Sequence, residues 1–295
     1  MRFVTYREDG EQGLAVWHEG AYHGFLDTFD DYPGDLIALL AAGGNSLDAA
    51  AAELKRGREI DLAAVELLPP ILDPPKIICV GLNYVDHSME SGFEPPTYPA
   101  VFARFASSLI GHGADMIVPR ASQDLDFEGE LAAIVGVTGR NISKGDALRH
   151  VSGYSIFNDG SIRDYQHKTS QWTIGKNFDG TGAFGPEFVT ADELPPGAKG
   201  LRLETRLNGN VVQSASTDQM IFSVADLVSI LSQAMTLEPG DVIVTGTPAG
   251  VGAARKPPLY MKDGDSCEVE IQQVGILRNP IRRYREVRGR EPAVT

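Results

Sequence analysis

The chain has 295 residues, of which 42% are hydrophobic, and its 26 basic and 40 acidic residues give a formal net charge of −14 at pH 7. This length and composition predict a globular protein with a sizeable core, built as one large domain with an appendage or as two domains. The negative charge argues against a nucleic-acid partner, because contact with phosphates needs a basic surface.

The cysteines and the apolar runs indicate the compartment. Cys79 and Cys267, the two cysteines of the chain, lie in strand-like apolar runs. So few cysteines exclude a disulfide framework and fit a reducing environment. No apolar segment follows the charged N-terminus as in a signal peptide, and no apolar run is long enough to span a membrane. We therefore expect a soluble cytoplasmic protein with no membrane partner.

The N-terminal part of the chain has the pattern of a small separate unit. MRFVTY, GLAVWHEG and AYHGFLD predict three short strands, and SLDAAAAELKRG predicts a helix that begins at Asn45 or Ser46. Four prolines between Leu67 and Lys76 indicate a linker, because proline disfavours helices and inner strands. The predicted domains are residues 1–72, residues 73–288 and a tail of residues 289–295.

Beyond Lys76 the chain is predicted to consist mainly of strands. Asn208-Gly209 is a typical two-residue hairpin turn. One helix is predicted over VADLVSILSQAMTL, with Ser223 and Asp226 as its capping box. The pattern indicates a mostly-β body with one or two packed helices. The strand candidates are IICVG, DMIVP, ELAAIVGVT, VSGYSIFND, RLETRLNG, NVVQSAS, DVIVTG and SCEVEI.

Two glutamates interrupt one of these apolar strands. Glu128 and Glu130 in LDFEGELAAIVG are two residues apart, so on a strand they share one face. Like charges repel and burial of a charge is costly, so either this face is a solvated edge or a cation lies on it. The apolar run that follows Glu130 favours the cation. Asp159, in GYSIFNDGSIRDYQ, is either a turn residue or a third oxygen ligand, and three carboxylates suit Mg²⁺ or Mn²⁺.

A histidine and a glutamate three residues apart form the second candidate group. His87 and Glu90 in GLNYVDHSMESG share one face of a short helix. They are either a surface pair or a general base, in which the carboxylate fixes the tautomer of the imidazole. The flanking Gly81 and Gly92 and the prolines that follow predict a mobile lid.

Two loops complete the candidate site. Lys176 in WTIGKNFDGTGAFGP is either an exposed loop lysine or a group that stabilises an oxyanion or forms a Schiff base. VTGTPAGVG lacks the residue order of a phosphate-binding P-loop. Its Thr247 could present a hydroxyl, together with backbone N–H groups, to a carboxylate.

In their order, these motifs resemble the fumarylacetoacetate hydrolase superfamily over about Pro75 to Pro280. The resemblance implies a mixed β-sandwich roll, mostly β with α (α+β), plus a small N-terminal α+β domain, and it makes residues 73–288 the catalytic domain. It also implies a divalent metal, Mg²⁺ or Mn²⁺ with Ca²⁺ as an alternative, and a homodimer. The matching elements are GLNYVDHSMESG, DFEGELAAIVG, GYSIFNDGSIRDYQ, GKNFDG, LNGNVVQSAS and LEPGDVIVTGTPAGVG.

The resemblance also implies the roles of individual residues. One position departs from the family pattern, since many members have lysine where VFARF places Arg104, and arginine can hold a carboxylate bidentately. The implied metal ligands are Glu128, Glu130 and Asp159, and the implied catalytic residues are His87, Glu90 and Lys176. The candidates for substrate binding are Tyr84, Arg104, Arg163, Gln166 and Thr247.

The resemblance leaves the reaction open. We expect a hydrolase that cleaves a C–C bond in acylpyruvate-like 2,4-dioxo acids through a metal-stabilised pyruvate enolate, with His87 activating the water. The same enolate would serve an isomerase or decarboxylase of hydroxymuconate-type or oxaloacetate-like 2-oxo acids in aromatic catabolism. A third interpretation is a non-catalytic binding protein on the same scaffold.

Overall fold

The structure is a computed structural model that describes residues 1–90, 92 and 94–285, so the predicted tail of residues 289–295 lies outside the described residues. Within them lie six α-helices: α1 Leu36–Ala42, α2 Ser46–Leu54, α3 Val85–Glu90, α4 Arg163–Gln166, α5 Thr173–Lys176 and α6 Val224–Ala234. The strands of the same residues are β1 Arg2–Glu8, β2 Glu11–His18, β3 Ala21–Leu26, β4 Arg58–Ile60, β5 Glu66–Leu67, β6 Ile77–Gly81, β7 Ala100–Arg104, β8 Leu109–Ile110, β9 Met116–Val118, β10 Leu125–Asp126, β11 Gly129–Val135, β12 Val151–Asp159, β13 Ser161–Ile162, β14 Gly182–Thr190, β15 Arg202–Leu207, β16 Asn210–Ser216, β17 Val242–Val244, β18 Ser266–Ile271 and β19 Gly275–Arg283.

Most strands belong to two sheets that pack face to face. The larger sheet has the order β4-β3-β2-β1-β14-β12-β11-β17-β6-β7, with β5 on β1 and β8 on β14, and the smaller has the order β16-β15-β18-β19-β9. Apolar side chains such as Leu131 of the larger sheet and Val269 of the smaller form one buried core between them. The fold class is therefore confirmed as a mixed β-sandwich with few helices.

Helices cover the faces that the sandwich leaves open. α6 packs its stripe, including Leu227 and Leu231, into the same core, and Ser223 and Asp226 form the predicted capping box at its N-terminus. α1 and α2 bury leucines such as Leu40 against the other face of the large sheet. The predicted hairpin turn joins β15 and β16.

The N-terminal strands continue the large sheet. β1 pairs antiparallel with β14, with Phe3 opposite Phe188. The first half of the proline-rich segment that we predicted as a linker, Leu67 to Ile71, is buried, and its Pro70 carbonyl accepts a hydrogen bond from the Thr5 hydroxyl at 3.1 Å. The domain boundary at residue 72 stays a prediction.

Candidate active site

Three carboxylates meet where β11 begins and β12 ends. Glu130 lies on β11, Glu128 directly precedes that strand, and Asp159 is the last residue of the neighbouring β12. The strands hold this arrangement, because Gly129 pairs with Asn158 and the Asp159 N–H donates to the Glu128 carbonyl at 2.9 Å. All three side chains are buried, and one carboxylate oxygen of each lies within 4.8 Å of one oxygen of each of the others. The shared face is therefore not a solvated edge.

The glycine between the glutamates faces the smaller sheet. A Cβ atom on Gly129 would lie 2.2 Å from Thr205 Oγ1 and 2.9 Å from Val269 Cγ1. Glycine at this position thus allows the smaller sheet to pack directly behind the carboxylates.

Two of the three carboxylates have buried cationic partners. Lys176 Nζ lies 2.7 Å from Glu128 Oε2 and 2.6 Å from Asp159 Oδ2, and only 1% of this lysine is exposed. Arg163 Nη2 lies 2.6 Å from Glu128 Oε1, and Arg104 Nη1 donates to Asp159 Oδ1 at 2.5 Å. Lys176 is therefore not an exposed loop lysine.

The surroundings shift the pKa values of Glu128 and Glu130 in opposite directions. Burial by itself would raise the pKa of Glu128, but the charges of Lys176 and Arg163 outweigh it and hold that pKa well below its usual value. Burial and the charges of Asp159 and Glu128 instead raise the pKa of Glu130 well above its usual value. Glu130 accepts a hydrogen bond from the Gly246 N–H at 2.5 Å. Within the described part of the chain, it forms no ion pair with a lysine or arginine.

His87 and Glu90 lie in contact on the short helix α3. His87 Nδ1 and Glu90 Oε1 are 3.0 Å apart, and the imidazole is buried. The N–H of Gly250 donates to both carboxylate oxygens of Glu90, at 2.9 Å and 3.0 Å. The burial of the imidazole argues against a surface pair, although Glu90 itself is exposed, and the hydrogen bonds hold the helix to the loop that follows β17.

Glu128, Glu130 and this pair line one cavity of about 230 Å³, whereas Asp159, the third predicted metal ligand, does not line it. Of the residues predicted as catalytic, metal-binding or substrate-binding, the lining contains His87, Glu90, Glu128, Glu130, Arg163, Gln166, Lys176 and Thr247. Sequence analysis did not single out His167 and Trp172, which also line it. Trp172 stacks edge-to-face with Phe102 at 5.7 Å between ring centroids.

Comparison with known proteins agrees with this geometry. The family model described as "Fumarylacetoacetate (FAA) hydrolase C-terminal" matches residues 76–282. The chain belongs to the fumarylacetoacetate hydrolase family. The resemblance stated from the motifs is thus confirmed.

Relatives within the fumarylacetoacetate hydrolase family cover nearly the whole chain. The mitochondrial oxaloacetate tautomerase fahd2 of Xenopus laevis is 41% identical over 288 residues, which are 95% of this chain and 90% of that protein. The structure of a fumarylacetoacetate hydrolase from psychrophilic Exiguobacterium antarcticum has a TM-score of 0.83 and 38% identity, covering 96% of this chain and all (100%) of that one. A 5-carboxymethyl-2-hydroxymuconate delta-isomerase from Mycobacterium smegmatis has a TM-score of 0.76 and 31% identity, with coverage of 96% and 100%.

These comparisons leave several expectations untested. No helix among the described residues is long and apolar enough to cross a membrane. The Xenopus laevis relative is named as mitochondrial, so the cytoplasmic location expected for this family member stays a prediction. The homodimer and the roles of the individual site residues also stay predictions.

Two residues predicted to bind substrate in this family member do not line the cavity. Arg104 instead donates to Asp159, to the Gly160 carbonyl at 3.1 Å and to Thr181 Oγ1 at 2.9 Å. Tyr84 is buried, and its hydroxyl has no hydrogen-bond partner among the described residues.

Thr247 lines the cavity with its hydroxyl already engaged. It donates to the Gly129 carbonyl at 3.0 Å and accepts from Gln213 Nε2 at 2.8 Å. In this arrangement the hydroxyl has no proton left for a substrate carboxylate. Gln213 also accepts a hydrogen bond from the Gly129 N–H at 3.0 Å, so it links the carboxylates to the Thr247 loop. No pattern in a single sequence indicates this role.

Proposed function

We propose that this protein is a metal-dependent tautomerase of 2-oxo acids, which interconverts the enol and keto forms of oxaloacetate or a close analogue. The observation that carries the proposal is the 41% identity, over 95% of the chain, to the oxaloacetate tautomerase of Xenopus laevis. Tautomerisation replaces hydrolysis of a C–C bond as our leading hypothesis. Proton transfer needs only a base and a group that stabilises the negative charge of the enolate.

The donor set fits a divalent metal ion. Three buried carboxylates that each place one oxygen within 4.8 Å of the others are hard ligands of the kind that Mg²⁺ and Mn²⁺ prefer, and Ca²⁺ is an alternative. Glu130 supports the fit, because it is a buried carboxylate without a lysine or arginine partner in the described part of the chain. When bound to Glu128, Glu130 and Asp159, the ion would supply Lewis-acid stabilisation of negative charge on the 2-oxo oxygen.

The charges of the site also suit an anionic substrate. The buried cations around the carboxylates are Arg104, Arg163 and Lys176, and the buried carboxylates are Asp126, Glu128, Glu130 and Asp159. A divalent ion added to this cluster would leave one net positive charge in a low-dielectric site. The carboxylate of a 2-oxo acid would neutralise it.

His87 would move the proton. An Nδ1–H donated to Glu90 fixes the tautomer and leaves Nε2 as the basic nitrogen. Nε2 would take the proton of the enol hydroxyl and return a proton to C3 of the substrate, so the imidazole ends neutral and no carbon–carbon bond breaks. Gln166 Oε1 already accepts from Arg163 Nη1 at 2.8 Å, which leaves the Gln166 amide N–H₂ to donate to a substrate carboxylate.

The test starts from the enol form of oxaloacetate. The purified protein, with Mg²⁺ or with EDTA, is added to the enol, and its ultraviolet absorbance and the keto form available to malate dehydrogenase are followed. We expect faster, Mg²⁺-dependent conversion with no pyruvate detected by lactate dehydrogenase. His87→Ala should reduce the acceleration by about 10²-fold to 10⁴-fold. A rate of conversion with the wild-type protein that equals the rate without protein would refute the proposed tautomerase activity.

Hydrolysis of a C–C bond is the second candidate. The structural likeness to the Exiguobacterium antarcticum protein, with its TM-score of 0.83, favours it, and His87 could equally take a proton from water. Acetylpyruvate in the same assay separates the candidates, because hydrolysis would release pyruvate and acetate. Pyruvate from oxaloacetate would instead indicate decarboxylation, and inactivity on every substrate would favour a binding protein.

A further inference from the structure

Asp126 is a buried carboxylate beside the site that contributes to its net charge but has no role in the proton transfer described above. It ends strand β10, its side chain is fully buried, and it does not line the cavity. Oδ1 accepts from the N–H groups of Phe127 at 2.9 Å and Gly252 at 2.8 Å. Oδ2 accepts from Arg163 Nε at 2.8 Å and from the Ala253 N–H at 2.9 Å. Four N–H donors therefore converge on one carboxylate.

Through Arg163, Asp126 is connected to polar side chains that form one part of the cavity wall. The Nε of this arginine binds Asp126, Nη1 donates to Gln166 Oε1 at 2.8 Å, and Nη2 lies 2.6 Å from Glu128 Oε1. A guanidinium is planar, so a bond at Nε fixes the directions in which the other two nitrogens point. The orientation of Gln166 follows from that of Arg163.

Through Gly252 and Ala253, Asp126 also holds a second part of the cavity wall. Ala253 lines the cavity together with Val251. The turn approaches Asp126 so closely that a Cβ atom on Gly252 would lie 2.6 Å from Asp126 Oδ1. One carboxylate thus connects two parts of the cavity wall that lie far apart in the sequence.

We propose that Asp126 is a positioning residue, which holds Arg163 and Gln166 in the orientation that receives the substrate carboxylate. The proposal rests on the proposed function in one respect, namely that the cavity binds a 2-oxo acid. The position requires a carboxylate, because an asparagine would turn an N–H₂ group towards buried N–H donors and leave at least one of them unsatisfied.

A double-mutant cycle separates positioning from a merely structural role. Asp126→Asn, Arg163→Gln and the double variant are compared with wild type in Mg²⁺, by the KM and kcat of oxaloacetate tautomerisation and by calorimetric binding of oxalate, which does not turn over. We expect Asp126→Asn alone to raise KM and weaken oxalate binding by about 10-fold to 100-fold. In the Arg163→Gln background the same substitution should have an effect of about twofold or less.

The control substitution is Asp241→Asn. Asp241 is also buried, accepts from the Glu238 N–H at 2.8 Å and pairs with Lys76 at 2.9 Å, but it lies at the other end of β17 from the Thr247 loop. We expect its KM and oxalate binding to equal those of the wild type, whatever its thermal stability. Should Asp126→Asn fail to fold, Asp126→Glu keeps the charge but displaces the carboxylate, and the same cycle with Arg163→Gln decides.

The outcomes distinguish the two proposals. Equal effects of Asp126→Asn in both backgrounds, in a wild-type protein that binds oxalate, would overturn the positioning role and leave the proposed function intact. A wild-type protein that neither binds oxalate nor converts oxaloacetate would overturn both.

Discussion

Arg104 donates to Asp159 Oδ1 at 2.5 Å, and neither residue lines the cavity. Its other donors bind the Gly160 carbonyl and Thr181 Oγ1, so the planar fork holds one carboxylate and the loop beside it. A lysine ammonium would keep the charge without this geometry. The arginine that departs from the family pattern therefore acts on a candidate metal ligand.

We expect Arg104→Lys to weaken Mg²⁺ binding by about tenfold, since substitution of a group that orients a metal ligand has effects of this size. At saturating Mg²⁺ the KM for oxaloacetate should stay unchanged. Calorimetric titration of Mg²⁺ and steady-state kinetics check the two parts. Arg206→Lys, at a surface ion pair with Glu270, is the control. A raised KM with unchanged Mg²⁺ affinity would instead support the predicted role of Arg104 in substrate binding.

Glu130→Gln should stabilise the metal-free protein at pH 7. Burial and the charges of Asp159 and Glu128 raise the pKa of Glu130, so the folded protein binds this proton more tightly than the unfolded chain does. The stability that the protonated Glu130 contributes to the metal-free protein is therefore lost as the pH rises above 4.5, the usual pKa of a glutamate. Glutamine carries no charge to lose, and its oxygen can still accept from the Gly246 N–H.

The measurement is thermal unfolding from pH 4 to pH 8, in EDTA and in Mg²⁺. At neutral pH in EDTA we expect the variant to gain about 1 kcal/mol or more, which is a rise in Tm of about 2–4 °C or more. Mg²⁺ should stabilise the wild type but not the variant. Glu238→Gln, at an exposed carboxylate, controls for the removal of a charge. A variant that is less stable than wild type in EDTA would show that the buried charge of Glu130 does not destabilise the metal-free protein.

The parts of this fold that sequence analysis predicted correctly have local signals. The Asn208-Gly209 turn and the capping box of α6 depend on neighbouring residues, and the shared face of Glu128 and Glu130 follows from strand periodicity. β14 was missed because GAFGPEFVT contains glycines and a proline that indicate turns. Its Pro186 lies where the register between β12 and β14 shifts, a tertiary feature that the local pattern does not show.

The missed parts of the site depend on contacts between distant residues. Asp126 meets the N–H of Gly252 across 126 positions, and Gln213 meets that of Gly129 across 84. Sequence analysis recognised Arg104 as unusual, but it could not show that the side chain binds Asp159 and does not line the cavity. The direction of a side chain relative to a cavity is decided by how the strands pack, and a single sequence does not contain that information.

Glu90→Gln should lower kcat with little effect on KM. The variant keeps an oxygen that can accept from the Gly250 N–H, so α3 stays fastened to its loop. It loses the negative charge that accepts the Nδ1–H of His87 and orients the imidazole, and we expect kcat to fall by about 10-fold to 100-fold. His87→Ala should lower kcat by about 10²-fold to 10⁴-fold. Steady-state kinetics with oxaloacetate measures both.

The control for this prediction is Asp86→Asn, at an exposed carboxylate of the same helix that does not line the cavity. It should leave kcat and KM unchanged. If Glu90→Gln in the His87→Ala background lowered kcat as much as in wild type, Glu90 would act independently of the imidazole.

Tyr84→Phe should raise stability and leave KM unchanged. The tyrosine is 2% exposed and lies outside the cavity lining, and its hydroxyl has no partner among the described residues. A buried hydroxyl without a partner costs about 1–3 kcal/mol, so its removal should increase the free energy of unfolding by up to that amount. Urea denaturation measures the gain, and Tyr22→Phe, which removes a hydroxyl that donates to Glu187, should show a loss instead. A KM for oxaloacetate raised about tenfold by Tyr84→Phe would instead support the substrate contact that the sequence predicted, since loss of one hydrogen bond to a charged group has about that effect.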